Sequence, residues 1–403
     1  MTNVDNTKQT IMKHLHWPSH WQPVEPLRLK DWEMSRTIAF PSRKDEDWKW
    51  LNFEHLNLED LKLEAADVQL TEANHGVYSA SLAEARANNK ALLEQVENQL
   101  IKKDTDTFSA LNAALAQDGC FIHVPANSKV DDIIHCKIAF NAHNSAAISR
   151  MVVWVEKNAY AKISLEFHAD TQEEMQAFFN FQLEIKLEDG ARLDLMEVQN
   201  FGEHVSYVSR EYARLSRDAH LNWTYVGIGS KVSKSFITVD LLGPGSETLM
   251  NGAYFSGSGQ LINLDTQQNH LAPQAHSDLL YKGAAIGDGK AVWEGMIFVD
   301  PIAQQTDSYQ SNRNLILDEN AEVKTIPGLE INANDVSCSH GATVGRLNDD
   351  ELFYSQSRGI PLREAEKIIL EGFFEDVLRK SGDEALTDSL LAQISEKFDR
   401  NHA

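Results

Sequence analysis

Cys338 and His340 stand two residues apart in the stretch ANDVSCSHGATVG, so on an extended strand a thiol and an imidazole project from one face. A thiolate and a neutral imidazole so placed suit iron or another borderline metal. Two donors do not complete a metal site, and the other cysteines, Cys120 and Cys136, lie about two hundred residues upstream. Any metal here therefore needs donors from another chain, and spacing alone fits two ordinary strand residues as well. His270 and His276, in NHLAPQAHSD, are six residues apart, which matches neither a helical step nor a zinc motif, so they read as polar turn residues. Asp265, Asp278, Asp300 and Asp307 supply the residue type of a glycoside-cleaving carboxylate pair, but an acidic solenoid also carries such residues on solvated turns. No P-loop, HExxH, GxSxG or dinucleotide fingerprint is present, which removes the common nucleotide, protease and hydrolase signatures.

The 403 residues exceed the size at which one core keeps growing, so two or three folding units are expected. Asp and Glu number 60 against 37 Lys and Arg, and the net charge of -23 repels polyanions, which sets nucleic acid aside as a partner. The opening MTNVDNTKQTIMKHLHW lacks the apolar core of a signal peptide, and no apolar run approaches a membrane span. Three cysteines form neither a disulfide framework nor a CxxC pattern, which suits a reducing compartment, and a cytoplasmic location is expected.

Three regions must position the candidate residues. Residues 1–117 read as loop and helix and hold five of eight tryptophans, Trp17, Trp21, Trp32, Trp48 and Trp50, which are expected to pack a small helical domain. Leu82, Leu92, Leu93, Val96 and Leu100 predict one helical face across 82–103, and 104–115 reads as a second helix capped by Thr105 or Thr107. From Asp118 to Gly345 the period turns to two. Each unit is a strand, a polar turn and a small residue that opens the next strand, namely Ala159, Ala191, Ala219, Ser246 and Ala275, at steps of 32, 28, 27 and 29 residues. That repeat favours a parallel β-helix (residues 118–345) over an antiparallel sandwich. Residues 346–403 return to the helical period, with a segment from Asp349 to Arg358 stopped at Gly359, and Pro361 opening a helix. There Ala365, Ile369, Phe373 and Val377 form a four-residue stripe, for internal packing or for a partner, and Thr387 is placed to cap a last helix bearing Leu390, Leu391, Ile394 and Phe398.

The string VSCSHGATVGRLNDDELFYSQSRGI closely resembles the carboxy-terminal signature of the SufB/SufD family. The preceding IFVDPIAQQTDSYQSNRNLILDENAEVKTIPGLEINANDV, the mid-chain HLAPQAHSDLLYKG and the early FPSRKDEDWKW are similar to further family elements, whereas 51–117 match only loosely. CSHGATVG resembles the SufD branch, since the SufB branch has a Cys-Glu-His-Glu-type sequence there. The resemblance implies a right-handed parallel β-helix between two helical domains, in a non-catalytic scaffold subunit. Its implied partners are a SufB paralogue, met through the β-helix, and the SufC ATPase, met through the helices from Pro361 onward, with a homodimer open to the isolated chain. The resemblance further implies that His340, with Cys338 beside it, meets a SufB cysteine and shares a transient iron or iron-sulfur cluster, with no cofactor held tightly by the isolated chain. A polysaccharide-active β-helix enzyme and a self-contained metal binder are the competing functions; the expected lack of export argues against the first and the shortage of thiols against the second.

Overall fold

The computed structural model describes residues 16–23, 28–71, 76–140, 143–169 and 175–401, so the opening segment bearing on export lies outside them. Among the described residues no helix is long and apolar enough to cross a membrane.

The centre of the chain is a parallel β-helix. One sheet carries β4 (Asp118–Val124), β6 (Ser145–Val155), β8 (Ala177–Leu187), β10 (Val205–Leu215), β12 (Val232–Leu241), β14 (Leu261–His270), β16 (Lys290–Val299) and β18 (Glu322–Ile331). The facing sheet carries β5 (Lys129–Phe140), β7 (Tyr160–Ala169), β9 (Arg192–Asn200), β11 (His220–Gly227), β13 (Glu247–Ser256), β15 (His276–Ala285), β17 (Thr306–Ile316) and β19 (Val336–Gly345). Successive strands alternate between sheets and pair in parallel with the strand one coil away.

The turn between strands explains the repeat. Asn158, Gly190, Asp218, Gly245 and Gln274 take positive φ, a conformation open to Gly and tolerated by Asn and Asp. Each is followed by Ala159, Ala191, Ala219, Ser246 or Ala275, all at most 1% exposed. The carbonyl of each small residue accepts from the next coil, as in Arg192 N to Ala159 O and His220 N to Ala191 O, both 2.8 Å. Coils stacked at the strand spacing of about 4.8 Å leave no room there for a larger side chain. Elsewhere the lumen is filled by aromatic rings laid over bare backbone: a Cβ at Gly252 would stand 2.4 Å from the Tyr281 ring, and one at Gly283 2.1 Å from the Tyr254 ring.

The amino-terminal region departs from the sequence reading in three respects. It contains the strands β1 (Lys62–Leu63), β2 (Asp67–Leu70) and β3 (Tyr78–Ser81), where loop and helix were expected. β2 and β3 pair antiparallel with β5 and β4 and so cover the first coil, an edge role too short to leave a visible period. The long helix over 82–103 is broken into α2 (Leu82–Asn88) and α3 (Lys90–Leu93), after α1 (Leu29–Ser35). Asn89 leaves helical geometry. The Glu184 carboxylate on β8 then captures the amides of Asn98, Leu100 and Ile101, drawing that stretch out of a helical ladder. Finally, α4 (Thr107–Leu115) is capped by Asp106, which accepts from Ser109 N, and not by either threonine; the Thr107 hydroxyl instead accepts from Trp17 Nε1 at 3.0 Å. Trp17, Trp21, Trp32 and Trp48 are buried in one cluster with Phe108, Phe178 and Phe236, as packing residues should be. Trp50 stays outside and donates to Glu294 at 2.7 Å.

At the other end α5 (Asp349–Ser357) stops before Gly359, whose φ is 87°, and Pro361 caps α6 (Leu362–Leu378) from outside the helix. α7 (Glu384–Asn401) begins ahead of Thr387, and Asp383 accepts from Leu386 N. The stripe turns by one residue relative to its expected phase. Leu370 and Phe374 are fully buried where Ile369 and Phe373 were expected, while Ala365 and Val377 keep their place. Leu370, Phe374, Val377, Leu390, Ile394 and Phe398 pack on the solenoid's outer wall, against Val226, Ile228 and Phe255 among others. The stripe is therefore consumed internally and is not a docking face.

Candidate functional site

β19 is the terminal strand of its sheet and β18 of the other, so among the described residues the last coil presents two strand edges with no further strand beyond them. β19 stacks on β17 with Cys338 beside Ser308 and His340 beside Gln310. Both of those neighbours are at most 2% exposed, and the Gln310 amide donates across the lumen to Gly328 O at 3.0 Å. Cys338 and His340 thus occupy the inward face of the final coil, at the mouth of the lumen, on one side of the strand as their spacing requires. Cys338 packs against the cluster of Ile297, Val299, Ala303 and Ala333, whereas His340 is exposed. Burial, and then the nearby Asp307 carboxylate, push the Cys338 thiol up, so it is held as a thiol near neutrality. Among the described residues no group of three or more His, Cys, Asp or Glu side chains is placed to hold a metal.

The remaining candidates are not brought to this site. His270 is buried and bonded to Ser277 Oγ at 2.8 Å; burial, with His276 nearby, pushes its imidazole down to about 3, so it stays neutral. His276 faces Asp307 at 3.5 Å. Asp265 is held by Lys234 at 2.6 Å on one sheet, Asp278 and Asp307 lie on the other, and Asp300 bonds the amide of Ile302 in a turn. Cys120 and Cys136 meet each other in the first coil, at the opposite end of the solenoid.

Two features escaped the reading of the sequence. Inside the lumen Glu197 on β9 and Glu211 on β10 are fully buried and electrostatically coupled neighbours, with Trp223 Nε1 donating to Glu197 and Ser209 Oγ to Glu211. Burial, together with the charge of Glu211, pushes Glu197 well up, and burial pushes Glu211 up to about 7, so the pair shares a proton at neutral pH. Their in-phase position among Leu193, Leu195, Tyr207 and Ala213 on inward faces was the available signal. On the outside, α5 and the first half of α6 expose the large apolar side chains Phe353 (73%), Tyr354 (59%), Leu362 (47%) and Ile368 (52%).

Residues 138–373 match the family model described as SUF system FeS cluster assembly, SufBD core domain, and residues 62–136 match the SufBD protein N-terminal region. The iron-sulfur cluster assembly protein SufD of Bacillus subtilis is 26% identical over 98% of this chain and 90% of its own length. An iron-sulfur cluster assembly SufBD family protein of Mycobacterium tuberculosis is 26% identical over 72% of this chain and 73% of its own. One of Mycobacterium leprae is 31% identical over 54% and 57%. With the core match spanning more than half of its length and the β-helix it accompanies fully formed, the chain belongs to the SufBD family of the SUF system for iron-sulfur cluster assembly.

Proposed function

We propose that the chain is a non-catalytic, cytoplasmic scaffold subunit of the SUF machinery and that its last coil joins a SufB-like paralogue, with His340 and Cys338 donating to iron or a nascent cluster shared across the junction. The observation that carries this reading is the uncovered final coil, with a thiol and an imidazole at its mouth and too few donors of its own. Open strand edges invite pairing with a further strand. A second copy of the chain can use the same edges when the paralogue is absent. His340→Ala tests the ligand role. Loss of one interface hydrogen bond is worth about 0.5 to 1.5 kcal/mol, too little to undo a large interface, so co-purification with the paralogue should persist while cluster assembly in cells fails. Cys338→Ala should be milder, as its thiol is packed and held protonated. Wild-type cluster assembly by His340→Ala would remove the ligand role.

The ATPase contact belongs, in this reading, to the exposed apolar side chains of α5 and α6. Deleting residues 361–403 would uncover Val226, Ile228, Phe255 and Ile286 and compromise the solenoid itself, so point changes are the better probe. Phe353→Glu combined with Ile368→Glu should weaken binding of a SufC-like ATPase by roughly 30-fold or more, the loss expected for an apolar anchor worth about 2 kcal/mol. Circular dichroism and thermal unfolding should stay as in the wild type, because both side chains are exposed. Unchanged ATPase affinity would move the contact elsewhere.

A further inference from the structure

Cys120 on β4 and Cys136 on β5 come from different sheets and face each other across the lumen of the first coil, with their Sγ atoms 3.3 Å apart and neither side chain exposed. In register, Cys120 lies beside Met151 of β6 and Cys136 beside Leu165 of β7; on the outer side they pair with Ser81 of β3 and Leu70 of β2. The thiols therefore sit one strand layer beneath the antiparallel cap, whose two strands are only four residues long and whose β2 alternates exposed and half-buried residues. Two thiols in contact need only small side-chain rotations to reach the bond length of about 2.05 Å, and the bond would tie the two sheets together at the end of the solenoid where short strands open most readily.

We propose that Cys120 and Cys136 are a redox pair that closes to an intramolecular disulfide bracing the first coil, a modification site at the opposite end of the molecule from Cys338. With a peroxide as oxidant, one thiolate attacks the peroxide oxygen and the O–O bond breaks; with hydrogen peroxide this releases water and leaves a sulfenic acid. The second sulfur then displaces the sulfenic hydroxyl as a second water. Two S–H bonds are lost, one S–S bond forms, and the two electrons have gone to the peroxide. The contact with Cys136 and the burial both push the Cys120 thiol up, so the first step waits on opening of the cap and is slower than oxidation of a surface thiolate.

The test uses the full-length wild-type chain in native buffer, treated with hydrogen peroxide, then unfolded, alkylated and mapped by peptide mass spectrometry. The expected product is a linked Cys120–Cys136 peptide pair lighter by two hydrogens, with both thiols gone from the alkylatable pool and restored by dithiothreitol. Cys338→Ser should give the same product, and Cys136→Ala should abolish it. The same treatment in denaturant should give a mixture of all three pairings. Cys120 and Cys136 remaining alkylatable after Cys338 has been consumed, or native oxidation that yields mainly pairings with Cys338, would overturn the proposal and leave two small core side chains.

Discussion

Arg150→Met should lower the unfolding free energy by about 3 to 5 kcal/mol, the loss seen when one partner of a buried ion pair is removed. Arg150 on β6 is 1% exposed, and its guanidinium satisfies four groups at once. Nε donates to Asn112 Oδ1 at 2.9 Å, the two Nη groups reach Asn98 and Gln182, and Nη1 stands 3.6 Å from the Glu184 carboxylate. Glu184 is itself fully buried, so without Arg150 its charge keeps only the amides of Asn98, Leu100 and Ile101. Arg150 also helps to hold Glu97 below its ordinary range, against the upward push of burial and together with Arg86 and Arg28. The damage should begin in the segment after α3, where hydrogen exchange at Leu100 and Ile101 reports it before the solenoid melts. Arg150→Lys should fall between, because an ammonium cannot reproduce the planar fork. Adding Glu184→Gln to Arg150→Met should recover part of the loss by removing the stranded charge. A change in unfolding midpoint equivalent to less than about 1 kcal/mol would mean that the network is not the anchor of the amino-terminal region.

That network also explains what the sequence concealed. The helical spacing of Leu82, Leu92, Leu93 and Val96 is real, yet a carboxylate on β8, 84 residues from Leu100, competes for the amides that a helix would need. A contact so distant along the chain leaves no local trace. The solenoid was legible because its rule is local and repeated: a positive-φ residue, then Ala159, Ala191 or Ala219, at nearly constant steps. The shared side of Cys338 and His340 was legible for the same reason, since strand alternation alone fixes it. That the strand carrying them is the last of its sheet follows from the stacking of whole coils, which a single string does not display. The stripe on α6 was misphased by one position because its outward and inward apolar residues, Ile368, Ile369 and Leu370, are contiguous, and only packing against β13 and β15 selects the face.

The two ends of the charge inventory should respond to pH with opposite signs. Lys397 on α7 is 2% exposed, and its Nζ donates to Ile228 O at 2.6 Å and Phe255 O at 2.7 Å, fastening the last helix to the solenoid wall. Burial, aided by Arg400 and opposed by Glu203, pushes the amine from its ordinary 10.5 down to about 7. Between those values the undocked helix binds a proton that the docked helix lacks, so docking strengthens as pH rises through that window and is flat below it. One proton corresponds to roughly a tenfold shift of the opening equilibrium per pH unit. The lumen pair runs the other way. Glu211 rises from 4.5 to about 7, so the folded chain keeps a proton that the unfolded chain has lost. Its contribution is full below the lower value and is lost as pH rises through the upper one. Hydrogen exchange separates the two, because Lys397 governs local opening of α6 and α7 whereas Glu211 governs global unfolding. Between pH 7 and 9, protection factors corrected for intrinsic rates should rise in α7, whereas the urea midpoint of the solenoid should fall between about pH 5 and 7. Lys397→Met should make the first trend flat, and Glu211→Gln the second. A pH trend in α7 that survives Lys397→Met would assign it to another group and leave the buried amine protonated in the docked helix.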